Sequence, residues 1–203
     1  MASVDLVGAV IEPTVPVANG LLDVVRRLSI DLGPVSGSLS WVPPHQYVAP
    51  LAVAPADTVT ADDAPVEVLR AVARELEEFA VQLAPPSLVV EGPDSARIVA
   101  VVTSKGAELA GAVRLVCDRL REIGLEVSTP EPVAFTLALV EGEAALQAVQ
   151  AAFPPPRETP LAGWLVGGLC IHAGPITREG RGWAPVRLGH ALLRRLGSRR
   201  PGA

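Results

Sequence analysis

The chain has 203 residues, of which 49% are hydrophobic and 19% charged, and it carries a formal net charge of −5. That apolar content excludes a disordered chain, and the acidic balance argues against a general nucleic-acid binder. Aromatic residues make up 3%, so the core is expected to be built from Val, Leu, Ile and Ala.

Val4 to Ile11 is a continuous apolar run, predicted as a buried strand ended by Pro13 and Pro16. Val17, Leu21, Val24, Leu28 and Leu32 recur at spacings of three and four, the stripe of an amphipathic helix that Gly33 and Pro34 stop. Short strands are expected at Ser38–Trp41 and at Tyr47–Val53, the second weakened by Pro50, which cannot donate to a ladder. After a loop over Ala54–Ala64, Asp62 or Asp63 is expected to cap a helix with Pro65 in its first turn. Its stripe is Leu69, Val72, Leu76 and Phe79, closed by Pro85 and Pro86. Leu88–Val90 and Ile98–Val102 read as a hairpin around Gly92, Pro93 and Asp94.

Ser104 is expected to cap a third helix, with the stripe Leu109, Val113, Val116, Leu120 and Ile123 and a stop at Gly124. Val133–Val140 is predicted as a strand and Glu143–Phe153 as a short helix. Leu165–His172 and Trp183–Leu188 form a predicted closing hairpin joined by the Arg178–Gly182 turn. From Gly189 onward a short helix and a frayed tail are expected. No apolar run reaches the ~18 residues that span a bilayer, and Met1–Glu12 lacks the basic start and cleavage site of a signal peptide. The expectation is a cytoplasmic protein without membrane contact. Cys117 and Cys170 sit in apolar patterns, as buried free thiols of a reducing compartment do.

The unit strand–helix–strand occurs twice, from Val4 through the Val17 helix to Val48, and from Ile98 through the Leu109 helix to Ala134. Each second strand follows a proline-bearing approach, Trp41-Val42-Pro43-Pro44 in one copy and Thr129-Pro130-Glu131-Pro132 in the other. Val48-Ala49-Pro50-Leu51-Ala52-Val53 then matches Ala134-Phe135-Thr136-Leu137-Ala138-Leu139 in place. The predicted architecture is α+β: two pseudo-twofold lobes, each a small antiparallel sheet backed by helices, with a central cleft. One domain is expected over 1–190, with a short basic tail over 191–203.

On these fragments the sequence resembles the two-histidine phosphoesterases, which include the 2′-5′ RNA ligase-like proteins and RNA 2′,3′-cyclic phosphodiesterases. The family carries a His-x-Thr/Ser motif on one strand of each lobe. Trp41-Val42-Pro43-Pro44-His45-Gln46-Tyr47 is similar to the approach to its first motif, and Val133-Ala134-Phe135-Thr136-Leu137-Ala138 occupies the place of its second. The resemblance implies that the motif positions are Val48 and Pro50 in one lobe and Ala134 and Thr136 in the other, so that Thr136 alone keeps the family's residue type. The implied chemistry needs one imidazole to take a proton from the attacking hydroxyl and another to protonate the leaving oxygen; Val48 and Ala134 do neither.

Side chains two apart share a strand face, so Val48, Pro50, Ala134 and Thr136, with Tyr47 beside them, are expected to line the cleft. That surface suits an apolar or uncharged small-molecule ligand or a protein partner better than a phosphate. The expectation is a catalytically degenerate relative; a repurposed enzyme using Thr136, Tyr47 or His172, or a phosphodiesterase with displaced histidines, are the alternatives. His45 lies three residues before Val48, in the approach loop. His172 is expected half-buried with a backbone partner, with the option of facing the cleft, and His190 exposed on the terminal helix. The histidines show no metal-ligand spacing and neither cysteine belongs to a Cys-x-x-Cys, so no metal or cofactor is expected. Seven arginines against one acid between Arg178 and Ala203 leave RNA as a further candidate partner.

Overall fold

A computed structural model of the chain describes residues 5–56, 64–155, 159–177, 182–183 and 185–195. The elements are β1 (Asp5–Ile11), α1 (Val15–Asp31), β2 (Ser40–Trp41), β3 (Ala49–Pro55), α2 (Ala64–Glu75), β4 (Phe79–Gly92), β5 (Ser95–Thr103) and α3 (Glu108–Glu122). They continue with β6 (Ala134–Glu141), α4 (Glu143–Ala152), β7 (Ala162–Val166), β8 (Gly168–Thr177), β9 (Gly182–Trp183) and β10 (Val186–Leu192). The expected capping aspartates Asp62 and Asp63, the Arg178–Arg181 turn and the tail beyond Arg195 lie outside the described residues.

Two antiparallel sheets result. The first has the order β10-β8-β1-β3, with β9 on β8, and the second the order β2-β6-β5-β4-β7. Apart from the two-residue β2, the orders correspond: β3-β1-β8-β10 matches β6-β5-β4-β7. The predicted repeat, β1-α1-β3 against β5-α3-β6, is therefore a pseudo-twofold of the fold. The match extends to a bulge. Ala9 pairs with Ala52 and Val10 with Pro50, skipping Leu51; Ile98 pairs with Ala138 and Val99 with Thr136, skipping Leu137. A bulge adds one residue to one strand and re-aims the side chains beyond it, and here it superimposes Pro50 on Thr136 and Val48 on Ala134. The lobes meet at β3 and β6, with Val53 and Ser128 exchanging backbone hydrogen bonds of 2.9 and 2.8 Å.

The helices cover one face of the sheets. Leu21, buried to 0% exposure on α1, packs with Leu51, Ile98, Phe135, Leu137 and Ile171 in one contiguous core drawn from both sheets. Each such side chain contributes about 1.5–3 kcal/mol by leaving water. Gly33, at φ +56°, takes the left-handed conformation that ends α1.

Three expectations are corrected. Phe79 opens β4 instead of closing the α2 stripe, and β4 runs on through Pro85 and Pro86. Those prolines fall where the β4–β5 register jumps from Leu83↔Val102 to Pro86↔Ala100, and where β7 pairing has stopped at Leu83; a missing N–H costs no ladder bond there. The predicted Leu165–His172 strand is divided at Gly167: β7 pairs with β4 in the second sheet, and β8 with β1 in the first. Residues from Gly189 are strand, not helix. β10 continues to Leu192 and Leu193 is buried in the core, so the fold passes the expected boundary at residue 190.

Candidate functional site

Opposite the helices, alternation along the central strands builds a second, smaller surface. In the first sheet Val7, Ala9 and Ile11 of β1 face the main core. Val10 faces the other way and clusters with Val48 and Cys170, all at or below 8% exposure. At the matched position of the second sheet stand Ala134, buried to 4%, and Val99, buried to 0%. Pro50 and Thr136 are half-buried. These matched positions are thus aliphatic, with one hydroxyl, that of Thr136. Arg97 of β5 reaches it: its Nη1 donates to Thr136 Oγ1 at 3.4 Å while its Nε binds Glu91 Oε1.

The first lobe adds a polar cluster. Glu12 follows β1, whose last residue Ile11 pairs with Ala49, and its side chain is 25% exposed. Cys170 and His172, two apart on β8, share the face of Val10. His172 Nε2 lies 2.7 Å from Glu12 Oε1, and a ligand atom from each of Glu12, Cys170 and His172 lies within 4.8 Å of the others. Arg187 of β10, across the strands from His172, donates its Nε to Glu12 Oε1 at 2.8 Å and pairs through Nη2 with Oε2. Burial pushes the Cys170 thiol up to about 11 and the His172 imidazole down to about 4. Both are therefore neutral at pH 7. A neutral ring beside a carboxylate, which only accepts, must donate Nε2–H to it. That leaves Nδ1 as a lone pair, and Nδ1 is buried without a hydrogen-bond partner.

Register puts Val48 and Pro50 in one lobe at points equivalent to Ala134 and Thr136 in the other. Tyr47 lies elsewhere: the ring turns away from Val48 into the main core at 3% exposure, and burial raises its phenol pKa. His45 is exposed in the short 3₁₀ turn Pro44–Gln46, outside the bulge-matched strand. His172 is fully buried, and its partner is a side chain 160 residues away rather than the backbone. His190 is on β10 instead of a helix. It is exposed. Cys117 and Cys170 are buried free thiols, as expected. Of the C-terminal arginines, Arg187 is held by Glu12, while Arg194 pairs with Glu77 at 3.3 Å and donates to the Glu75 carbonyl. A hollow of about 470 Å³ lies between α3 and Thr129–Val133.

Sequence reading passed over Glu12, Cys170 and Arg97 as site residues, and took Arg187 only as one of the C-terminal arginines of a candidate RNA contact. Cys170-Ile171-His172 does carry a local signal, since alternation puts thiol and imidazole on one face; Glu12 is joined to them only by strand pairing.

No protein-family model matches the sequence, and no curated protein does. Solved structures do. The Thermus thermophilus protein TT0787 has a TM-score of 0.66 at 16% identity, over 94% of this chain and 99% of that one. E. coli LigT complexed with NADP+ gives 0.63 at 13%, over 95% and 99%, and LigT complexed with 3′-AMP gives 0.63 at 14%, over 94% and 98%. At these identities the likeness is one of architecture, and it spans nearly all of both chains: the protein has the two-lobed α+β fold of the LigT-like phosphoesterases.

Proposed function

We propose that this protein is a binding protein on a phosphoesterase scaffold, whose cleft takes an uncharged ligand with an apolar face and does not hydrolyse phosphodiesters. The observation that carries this reading is the pair Val48 and Ala134. Matching bulges put them at equivalent points of the two lobes, where the family resemblance implies the two imidazoles. A hydrocarbon side chain neither removes nor supplies a proton. The charges nearby point the same way. Arg97 is engaged by Glu91 and Arg187 by Glu12, so a phosphate dianion would have to displace a carboxylate to be held. E. coli LigT, which shares this scaffold, has been solved in complex with nucleotides, and the aliphatic residues at the matched positions support a different ligand chemistry here.

The test has two arms. Purified protein given nucleoside 2′,3′-cyclic phosphates should show no turnover above buffer; turnover abolished by His172→Ala would overturn the reading. A neutral fluorescent probe, N-phenylnaphthylamine, should bind saturably and lose binding in Val48→Asp, while circular dichroism shows the fold intact. Equal binding by the variant would place the apolar site elsewhere.

A further inference from the structure

We propose that Glu12, Cys170 and His172 form a binding site for a single divalent zinc-like ion. The inference is independent of which ligand the cleft takes. Three donor types converge within 4.8 Å: a carboxylate, a thiol and an imidazole. Zinc accepts all three, with bonds of about 2.3 Å to sulfur and about 2.0–2.2 Å to nitrogen and oxygen. Two donors on one such ion stand roughly 3.3–3.7 Å apart, a spread set by those bond lengths at tetrahedral angles. The cluster needs small side-chain shifts to reach it, including opening the His172–Glu12 contact from 2.7 Å.

The ring can make that change at the cost of a buried Nδ1–H without an acceptor, a cost that metal binding must exceed. Nδ1 of His172 is buried and has no hydrogen-bond partner, although the side chain is only 6% exposed. An imidazole in such a position is ordinarily pinned to one tautomer by what its second nitrogen touches. Here neither tautomer breaks a bond at Nδ1. The ring proton can move to Nδ1 and leave Nε2 as a lone pair for the metal, in the place of the proton that Nε2 now donates to Glu12. Cys170 binds as thiolate, and its proton leaves to solvent, one proton per ion bound.

Charge balance favours the same ion. A divalent cation with one thiolate and one carboxylate sums to zero in the buried part of the site beside Val10 and Val48, leaving only the positive charge of Arg187 at the solvent rim. Arg187, bound to both oxygens of Glu12 and 51% exposed, sits at the solvent rim. There it acts as a positioning residue that fixes the carboxylate. A fourth coordination place is left to water.

The experiment is titration of the metal-stripped full chain with Co²⁺, which develops a thiolate-to-cobalt charge-transfer band when sulfur is a ligand, followed by competition with Zn²⁺. One ion per chain should bind. The band should persist in Cys117→Ser, whose thiol contacts Thr129, and vanish in Cys170→Ser. Affinity should fall at least about tenfold in Arg187→Ala, the size of effect that outer carboxylate partners have on metal affinity. Absence of a saturable band in the wild-type chain, or a band lost with Cys117 and kept without Cys170, overturns the proposal. Should Cys170→Ser fail to fold, X-ray absorption of the zinc-loaded wild type decides: one sulfur with nitrogen and oxygen neighbours supports the site, and a shell without sulfur refutes it.

Discussion

The two lobes share a backbone plan down to the bulge, yet their faces opposite the helices hold different chemistry. Register equates Gly8 with Arg97, Glu12 with Val101, Cys170 with Ser87 and His172 with Val89. In the first lobe a glycine leaves the face clear opposite a buried imidazole, and a carboxylate folds in to meet it. In the second, an arginine fills that place and reaches out to Glu91 at the rim. The fold thus repeats its geometry with different side chains. Val48 and Ala134, at equivalent points of the two lobes, are both aliphatic, and the polar groups beside them differ: Glu12, Cys170 and His172 in the first lobe, Arg97, Glu91 and Thr136 in the second.

The largest expected effect tests whether the lobes are separate bodies at all. Phe135→Ala in the second sheet should cost about 3–5 kcal/mol. Because Phe135 belongs to a core shared with Val7, Leu51 and Ile171 of the first sheet, amide hydrogen exchange should quicken in β1 and β6 alike. Loss of protection confined to the second sheet would break the picture of one cooperative unit. Next comes pH. With chelator present, stability should fall by a few kcal/mol as pH drops through the window from about 6.5 to about 4. Over that window the unfolded chain's imidazole takes up a proton that the buried His172 refuses. Urea midpoints on either side of the window measure it, and His172→Gln should flatten the dependence.

The asymmetry itself is sharpened by a pair of carboxylate deletions. Glu12→Ala strands the His172 Nε2–H in a buried place and should cost about 1–3 kcal/mol. Glu91→Ala frees a side chain already partly in solvent, 24% exposed for Arg97 and 35% for Glu91, and should cost below about 1 kcal/mol. Equal costs in thermal denaturation would mean that the two faces are energetically alike.

Much of the architecture was legible in the sequence because it follows local periodicity. The α1 and α3 stripes, the repeated strand–helix–strand unit and the Val48/Ala134 correspondence all emerge from spacing within a few dozen residues. The misreadings came where local and tertiary signals disagree. Phe79 continues the α2 spacing, but its partner is Val166 on β7, which no local pattern reports. Pro85 and Pro86 look like a stop until the bulge they occupy is known. Gly189 looks like the break before a helix. It marks instead a close crossing, where an added Cβ would fall 2.9 Å from Val66 Cγ1 of α2. The polar cluster was hidden for the same reason: His172 and Glu12 meet only because β8 returns to pair with β1.

That return has a counterpart in β4, and together they clasp the halves. The first half of the chain contributes β4 to the sheet of the second, and the second contributes β8 and β10 to the sheet of the first. A chain nicked at the Pro93–Asp94 turn would yield two pieces, each holding strands whose partners lie on the other piece. Neither could complete its own sheet, so the cut should leave an interlocked pair that copurifies and melts together. Two halves laced in this way cannot part company, so side chains on their faces can differ without the scaffold coming apart.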